Sequence, residues 1–312
     1  MDPVIWFFAL GVAAGLLRSE LRLPPAVYDL LSVLLLLTIG LKGGVELAQQ
    51  PFAAVLPQAL AVLAMGFALP FLIYPVVRRL GRLGRADAAS IAAHYGSVSV
   101  ATYAVGVAYL AGRQVFVDAQ LPLFLVLLEV PAIIVGIILA RKNEPGLAWG
   151  KVAHEAILGK SIVLLVGGLL IGWLSGPEGI APLEPLFFDL FKGVLALFLL
   201  EMGLIAAAQA RTVLQNGLFL IAFGVLAPLP LASIGAALGA AIGLSVGGTT
   251  LLAVLAGSAS YIAAPAAMRI AVPEANPSLS LAASLGVTFP FNIVVGIPIY
   301  YSIAQWAHTL GA

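Results

Sequence analysis

"AHYGSVSVAT" (Ala93–Thr102) and "LAGSASYIAA" (Leu255–Ala264) each place Gly-Ser-x-Ser in the middle of a long apolar run. Gly257 lies 161 positions after Gly96, about half the chain away. Glycine costs about 1 kcal/mol in a helix interior relative to alanine. Serine competes for nearby backbone groups, and Pro265 cannot donate to a helical ladder. Both stretches therefore predict helices that unwind near their middles. Unwound backbone at bilayer depth is tolerated only where it lines a polar cavity or is buried in protein. Small residues also let membrane helices pack closely, so one such cluster alone reads as packing. Its recurrence in both halves favours a site.

The surroundings decide the class. Of 312 residues, 62% are hydrophobic and 9% charged, against roughly a quarter charged in a soluble domain. So few charges cannot cover a soluble surface of this size. Several apolar blocks reach the roughly 20 residues that carry a helix across a bilayer, and the short alternating segments of a membrane β-barrel are absent from the sequence. A net charge of +1 implies no attraction to nucleic acid. Without cysteine there is no disulfide, thiolate nucleophile or thiolate metal site. The opening "MDPVIWFFALGVAAGLLRSE" lacks a basic leader and reads as a first helix, not a cleaved signal.

Ten apolar segments are expected, near 3–17, 25–47, 52–77, 86–111, 116–140, 158–174, 186–208, 213–240, 247–270 and 277–307. Charged or Pro/Gly-rich stretches such as "RRLGRLGRAD", "SGPEGIAPLEP" and "AQARTV" separate them. Connections after odd-numbered segments hold 12 of the 15 Lys and Arg residues. Basic residues mark the cytoplasmic side, so both termini are expected outside and the connection 141–157 in the cytoplasm. Two further matches accompany the Gly-Ser-x-Ser pair: "LTIGL" (37–41) with "LEMGL" (200–204), and "IIVG" ending at Gly136 with "IVVG" ending at Gly296. Their similar spacing suggests a duplication into 1–140 and 158–312. Five segments per half make the repeats inverted, an arrangement typical of secondary transporters.

In such a repeat two broken helices approach one midplane point from opposite sides. Their half-helix N-termini offer free N–H groups and partial positive charge. The serine hydroxyls add donors for an anion and acceptors for a cation. Glu129, mid-segment before Pro131, is costly at that depth unless it faces a cavity or partner or is protonated. It reads as a Na+ ligand or a proton-coupling group, with a purely structural carboxyl as the alternative. Asn292 occupies nearly the same place in the second half. Glu201 reads as a helix–helix or subunit contact, with membership of the site as the alternative, His94 as a hydrogen-bonded packing residue, and Lys42 with Glu46 as an i,i+4 ion pair. His154 and Glu155 are expected to be solvated on an amphipathic lead-in. No P-loop, HExxH motif or metal-ligating histidine cluster occurs in the sequence.

At these residues the chain resembles the sodium-dependent bicarbonate transporter family, the single-subunit type of cyanobacteria. The resemblance spans nearly the whole length and is carried by "IGLKGGVEL" (39–47), "YGSVSVAT" (95–102), "LLEVPAIIVGIILA" (127–140), "GLSVGGTTLLAVLAGSAS" (243–260) and "RIAVPEANPS" (269–278). It implies an all-α membrane protein of ten transmembrane helices in two inverted repeats, with core and gate domains. It also implies Na+-coupled bicarbonate uptake, a homotrimer in a bacterial inner membrane, and inhibition from the cytoplasm by a PII-like protein. Ser97, Ser99, Thr102, Ser258 and Ser260 fall in the family's broken-helix segments. The expected anion site is thus Gly96, Ser97, Ser99, Thr102, Gly257, Ser258 and Ser260. The expected cation-coupling set is Glu129, Asn292, Ser99 and Ser260. Three departures are visible. Tyr261 stands at the family's acidic position after the second cluster, Glu129 replaces an Asp, and the central connection is short. The first bears on Na+ coupling and anion choice, the third on the regulator.

The expectation is a secondary transporter of a small anion, bicarbonate with Na+, and no enzyme. A different small anion, or H+ in place of Na+, is the close alternative. A channel would need more pore-lining polar residues, and no nucleophile–base pair or resident metal site can be assembled.

Overall fold

The computed structural model describes residues 3–141, 149–215 and 217–310; most of the front of the 141–157 connection lies outside them. Among the described residues the chain is helical and has no strand. Its helices are α1 (Pro3–Leu16), α2 (Pro25–Leu47), α3 (Phe52–Arg79), α4 (Arg85–Gly96), α5 (Val100–Ala111), α6 (Leu121–Glu129), α7 (Pro131–Arg141), α8 (Trp149–Leu158), α9 (Lys160–Ile180), α10 (Phe191–Gln215), α11 (Leu218–Leu226), α12 (Pro228–Ala241), α13 (Val246–Ala256), α14 (Ala263–Ala271), α15 (Pro277–Leu281), α16 (Phe289–Phe291) and α17 (Ile297–Leu310). Two π-helical stretches, Ala282–Thr288 and Asn292–Gly296, join the last three into one rod. Among the described residues, seven helical segments are long and apolar enough to cross a membrane, while Pro3–Leu16 and Val246–Ala256 are apolar but shorter. The chain is a multi-pass membrane protein.

Local chemistry explains the breaks. Helices α4 and α5 are separated at Ser97–Ser99, and Ser99 caps α5 by accepting the Thr102 N–H at 3.1 Å. Helices α13 and α14 are separated at 257–262, and Ser260 Oγ accepts the Ala264 N–H at 3.2 Å. Pro265 falls in the first turn of α14, where its missing N–H costs nothing. Pro131 opens α7, and Ile133 N–H turns to the Val130 carbonyl, so the rod breaks beside Glu129.

The sixth segment breaks close to its expected end at 174: Gly176 takes φ +64°, and Pro177 starts a separate turn that runs to Ile180. Two other expected boundaries shift. "AQARTV" is helical, and the turn falls instead before Leu218, where Gly217 takes φ +87°. The fifth segment begins at Leu121, not 116, because Asp118 is engaged elsewhere: its Oδ2 accepts the Ser245 N–H at 3.0 Å and hydroxyl at 2.6 Å. That carboxylate sits at the N-terminus of α13, where a negative charge complements the helix dipole.

Four helices, α1, α2, α9 and α10, pack together through two glycine-lined seams. In one, Gly40 and Gly44 of α2 face Leu165, Gly168 and Leu169 of α9. In the other, Gly11 and Gly15 of α1 face Leu200, Gly203 and Ala207 of α10. A Cβ on Gly44 would strike the Leu169 carbonyl, and one on Gly203 the Phe8 carbonyl. Without a hydrophobic force between helices in lipid, such close backbone approach supplies the attraction.

The remaining long helices form the other body around the two breaks. Its end near α15 is tied by polar contacts from the "RIAVPEANPS" stretch. Arg141 Nε donates to the Ala271 carbonyl at 2.6 Å and Arg141 pairs with Glu274 at 3.5 Å. Asn276 N–H donates to Asp87 Oδ1 at 2.7 Å, while its own side chain caps α15. Helix α8 covers the back of the 141–157 connection, and His154 on it is exposed, as expected; the Glu155 side chain lies outside the described residues.

Candidate functional site

The two unwound segments touch. Ser99 N–H donates to Ser258 Oγ at 2.9 Å, and Ser260 N–H donates to the His94 carbonyl at 2.8 Å. Ser258 in turn donates to the Leu255 carbonyl at 2.8 Å. Ser99 Oγ accepts the Thr102 hydroxyl at 2.9 Å and reaches the Tyr261 hydroxyl at 3.4 Å. Ser97, Ser99, Thr102, Ser258 and Ser260 are all buried, which requires each to be hydrogen-bonded, and each is. The backbone groups that the breaks release are thus satisfied in part by the opposite break and in part by the serines of the same break.

Gly96 and Gly257, expected at the anion site, have a packing role. A Cβ on Gly96 would lie 2.6 Å from Pro70 and 2.8 Å from Ala132; one on Gly257 would lie 2.9 Å from Ala232. Each glycine lets its half-helix lie against a neighbouring helix just before the chain unwinds.

Glu129 and Asn292 both reach the breaks of their own halves, by different groups. Ser97 Oγ donates to the Glu129 backbone carbonyl at 2.9 Å. That carbonyl is available because Ile133 N–H has turned to Val130. The Glu129 side chain is 2% exposed, is contacted by the Ser161 side chain of α9, and leaves Oε2 without a partner. Asn292 Nδ2 donates to the Gly257 carbonyl at 2.9 Å, and Asn292 Oδ1 accepts the Tyr300 hydroxyl at 2.5 Å. Tyr300 and Ser161 were not singled out in the sequence. A lone Tyr or Ser in an apolar helix carries no signal until its partner is known.

His94 is buried and donates from Nδ1 to the Ser90 carbonyl at 2.7 Å, the packing role expected of it, but Nε2 has no partner. Glu201 contacts the backbone of Leu23, and its Oε2 is buried without a partner. Lys42 and Glu46 do not form the expected ion pair. Both line a cavity of about 430 Å³ together with Thr38, Tyr103, Asp118 and Phe191, so each is drawn toward open space instead of its neighbour. A second, far smaller pocket of about 20 Å³ lies one turn further along α2, among Ser32, Leu35, Val100, Ala101, Phe198 and Ile262. It touches the first turn of α5 and the residue preceding α14, and has room for about one water. Among the described residues no three Asp, Glu or His side chains converge as a metal site. A bound Na+ would therefore draw on hydroxyl and carbonyl oxygens with fewer than three such side chains.

A family model described as the Na+-dependent bicarbonate transporter superfamily matches residues 3–305. The chain belongs to that superfamily, which is one of transporters and not of enzymes. No curated protein matches it at the level required.

Proposed function

For this member of the Na+-dependent bicarbonate transporter superfamily, we propose secondary active uptake of bicarbonate coupled to Na+, by alternating access. On this reading the seven long apolar segments, Pro3–Leu16 and the broken pairs α4–α5 and α13–α14 make ten crossings in two inverted halves. The gate is α1, α2, α9 and α10, and the core is the rest.

The mirrored seams support the inverted repeat. Gly40 corresponds to Gly203 and Gly44 to Ala207 at an offset of 163, and Gly11 to Gly172 at 161. Helix α2 of the first half packs on α9 of the second, and α10 of the second on α1 of the first. A two-fold exchange of the halves carries one seam into the other.

The single observation that carries the function is the Ser99–Ser258 contact. It ties the start of α5 to the segment that leaves α13, and the small pocket beside it is lined by Val100 and Ala101 at the start of α5, by Ile262 just before α14, and by the gate helices α2 and α10. Two helix N-termini give partial positive charge for an anion without a buried Lys or Arg. At about 20 Å³ the pocket is too small for the four heavy atoms of bicarbonate, so loading requires the gate to move away from the core. The large cavity supports an outward-open state. It runs along Val107 and Ala111 of α5, while the equivalent Met268 and Val272, 161 positions on, are buried. Na+ is assigned to the oxygens around Ser97 and Glu129, next to the break.

A second reading, H+ in place of Na+ or another small anion, is favoured by Tyr261. Its neutral hydroxyl stands beside Ser99 where the resembling family has an acid. The test is uptake of labelled bicarbonate into vesicles holding the purified protein, with a Na+ gradient, a pH gradient or neither. Saturable uptake driven by Na+ is expected. Uptake driven by the pH gradient alone selects the second reading, and no saturable cation-dependent uptake overturns both.

A further inference from the structure

We propose that the large cavity contains a staging site for a small monovalent anion, held by the Lys42 ammonium and the Tyr103 hydroxyl. The proposal rests on the anion-transport reading and extends it to a second place on the path.

The polar groups facing this cavity divide into committed and free. Thr38 donates its hydroxyl to the Phe187 carbonyl at 3.0 Å. Asp118 is held by Ser245 at the start of α13. Thr38 therefore has no proton left to give an anion, and the Asp118 carboxylate offers an anion no donor. Lys42, in contrast, forms no ion pair or hydrogen bond with any described residue, although Glu46 is one turn away on the same face. The Tyr103 hydroxyl likewise has no hydrogen-bond partner among the described residues. Glu46 is close enough to both for its charge to act on them, yet contacts neither. Two free donors face the cavity along with two carboxylates, Glu46 and the Ser245-bound Asp118, and apolar walls from Val107, Phe188 and Phe191; an oxyanion there accepts from both donors and is opposed by both carboxylates. The apolar walls strengthen that attraction by excluding water.

Position gives the site its use. Tyr103 lies on the first turn of α5, directly after Thr102, and Thr38 lies one turn of α2 from the small pocket. An anion at Lys42 would thus be collected at the mouth and held a short step from the half-helix ends. Glu46 opposes it, so the site retains its anion weakly enough to release it inward.

The experiment has two readouts on the full-length chain. In detergent, the rate of acetylation of each lysine amine is followed by mass spectrometry at fixed pH, with and without bicarbonate in a chloride-free buffer. Bicarbonate should slow modification of Lys42 and leave exposed Lys151 unchanged, and Y103F should weaken that protection. In vesicles, K42Q should raise the KM for bicarbonate about threefold to fivefold at an unchanged maximal rate, the size of a half-exposed charge contact. K42R should restore the KM, and E46Q should lower it. Opposite shifts in K42Q and E46Q would not come from a merely structural pair. Equal acetylation of Lys42 with and without bicarbonate overturns the staging site, as does an unchanged KM in K42Q. Protection of Lys42 in a chain that moves no bicarbonate would sink the transport reading and leave this site standing.

Discussion

Ser99 and Ser258, 159 positions apart, share a 2.9 Å hydrogen bond between the backbone N–H of one unwound segment and the hydroxyl of the other. Neither break could exist alone at bilayer depth, since unpaired backbone groups in an apolar medium cost several kcal/mol each. Each supplies part of what the other lacks. The point where the two segments meet is therefore where the N-terminus of α5 is held against the exit from α13, with Ile262, just before α14, on the same small pocket.

Removing that hydroxyl should be costly. Ser258→Ala leaves the Ser99 N–H buried without an acceptor, a penalty of about 1–3 kcal/mol. A lower unfolding temperature in detergent is expected, with weaker uptake at temperatures where the protein is still folded. An unchanged unfolding temperature would mean that another acceptor replaces Ser258.

Ser99→Leu and Ser260→Leu each remove a helix cap and push a large side chain into the crossing. Both variants should insert into the membrane and carry no bicarbonate. Wild-type uptake in either would contradict the assignment of the crossing as the anion site.

Glu129→Gln preserves shape and removes the charge. The expected result is a large change in the Na+ concentration for half-maximal uptake, with expression little affected. If the Na+ dependence is unaltered, Glu129 only braces Ser97 and Ser161.

Tyr300→Phe deletes the hydroxyl that donates to Asn292 Oδ1. The buried oxygen is left unpaired at about 1–3 kcal/mol, and Asn292 loses its orientation toward the Gly257 carbonyl. Thermal stability should fall. Asn292→Leu should fall at least as far, since it also frees the Gly257 carbonyl.

Gly44→Ala and Gly203→Ala test the mirrored seams. Each new methyl meets a backbone carbonyl of the facing helix, and overpacking of this kind costs about 1–3 kcal/mol. Both should lower thermal stability by similar amounts. A large effect in one and none in the other would speak against equivalent seams.

The sequence alone determined the membrane class and both helix breaks, and placed Pro131 where the helix loosens beside Glu129. These follow from local causes: apolar runs of bilayer length, glycine and serine mid-run, and Pro131. Its failures were local too. Gly217 at positive φ moved one boundary, and the bond to Ser245 at the start of α13 drew Asp118 out of the fifth segment. What only the tertiary structure decided are relations between distant residues. That Ser99 bonds Ser258, that Gly96 serves packing, that Lys42 and Glu46 face open space instead of each other, and that Tyr300 orients Asn292 all depend on how helices approach in three dimensions. Local backbone preferences act over a few residues and can be read along the chain. Hydrogen-bond satisfaction in an apolar medium acts across the whole bundle, and its partners are fixed only once the helices are packed.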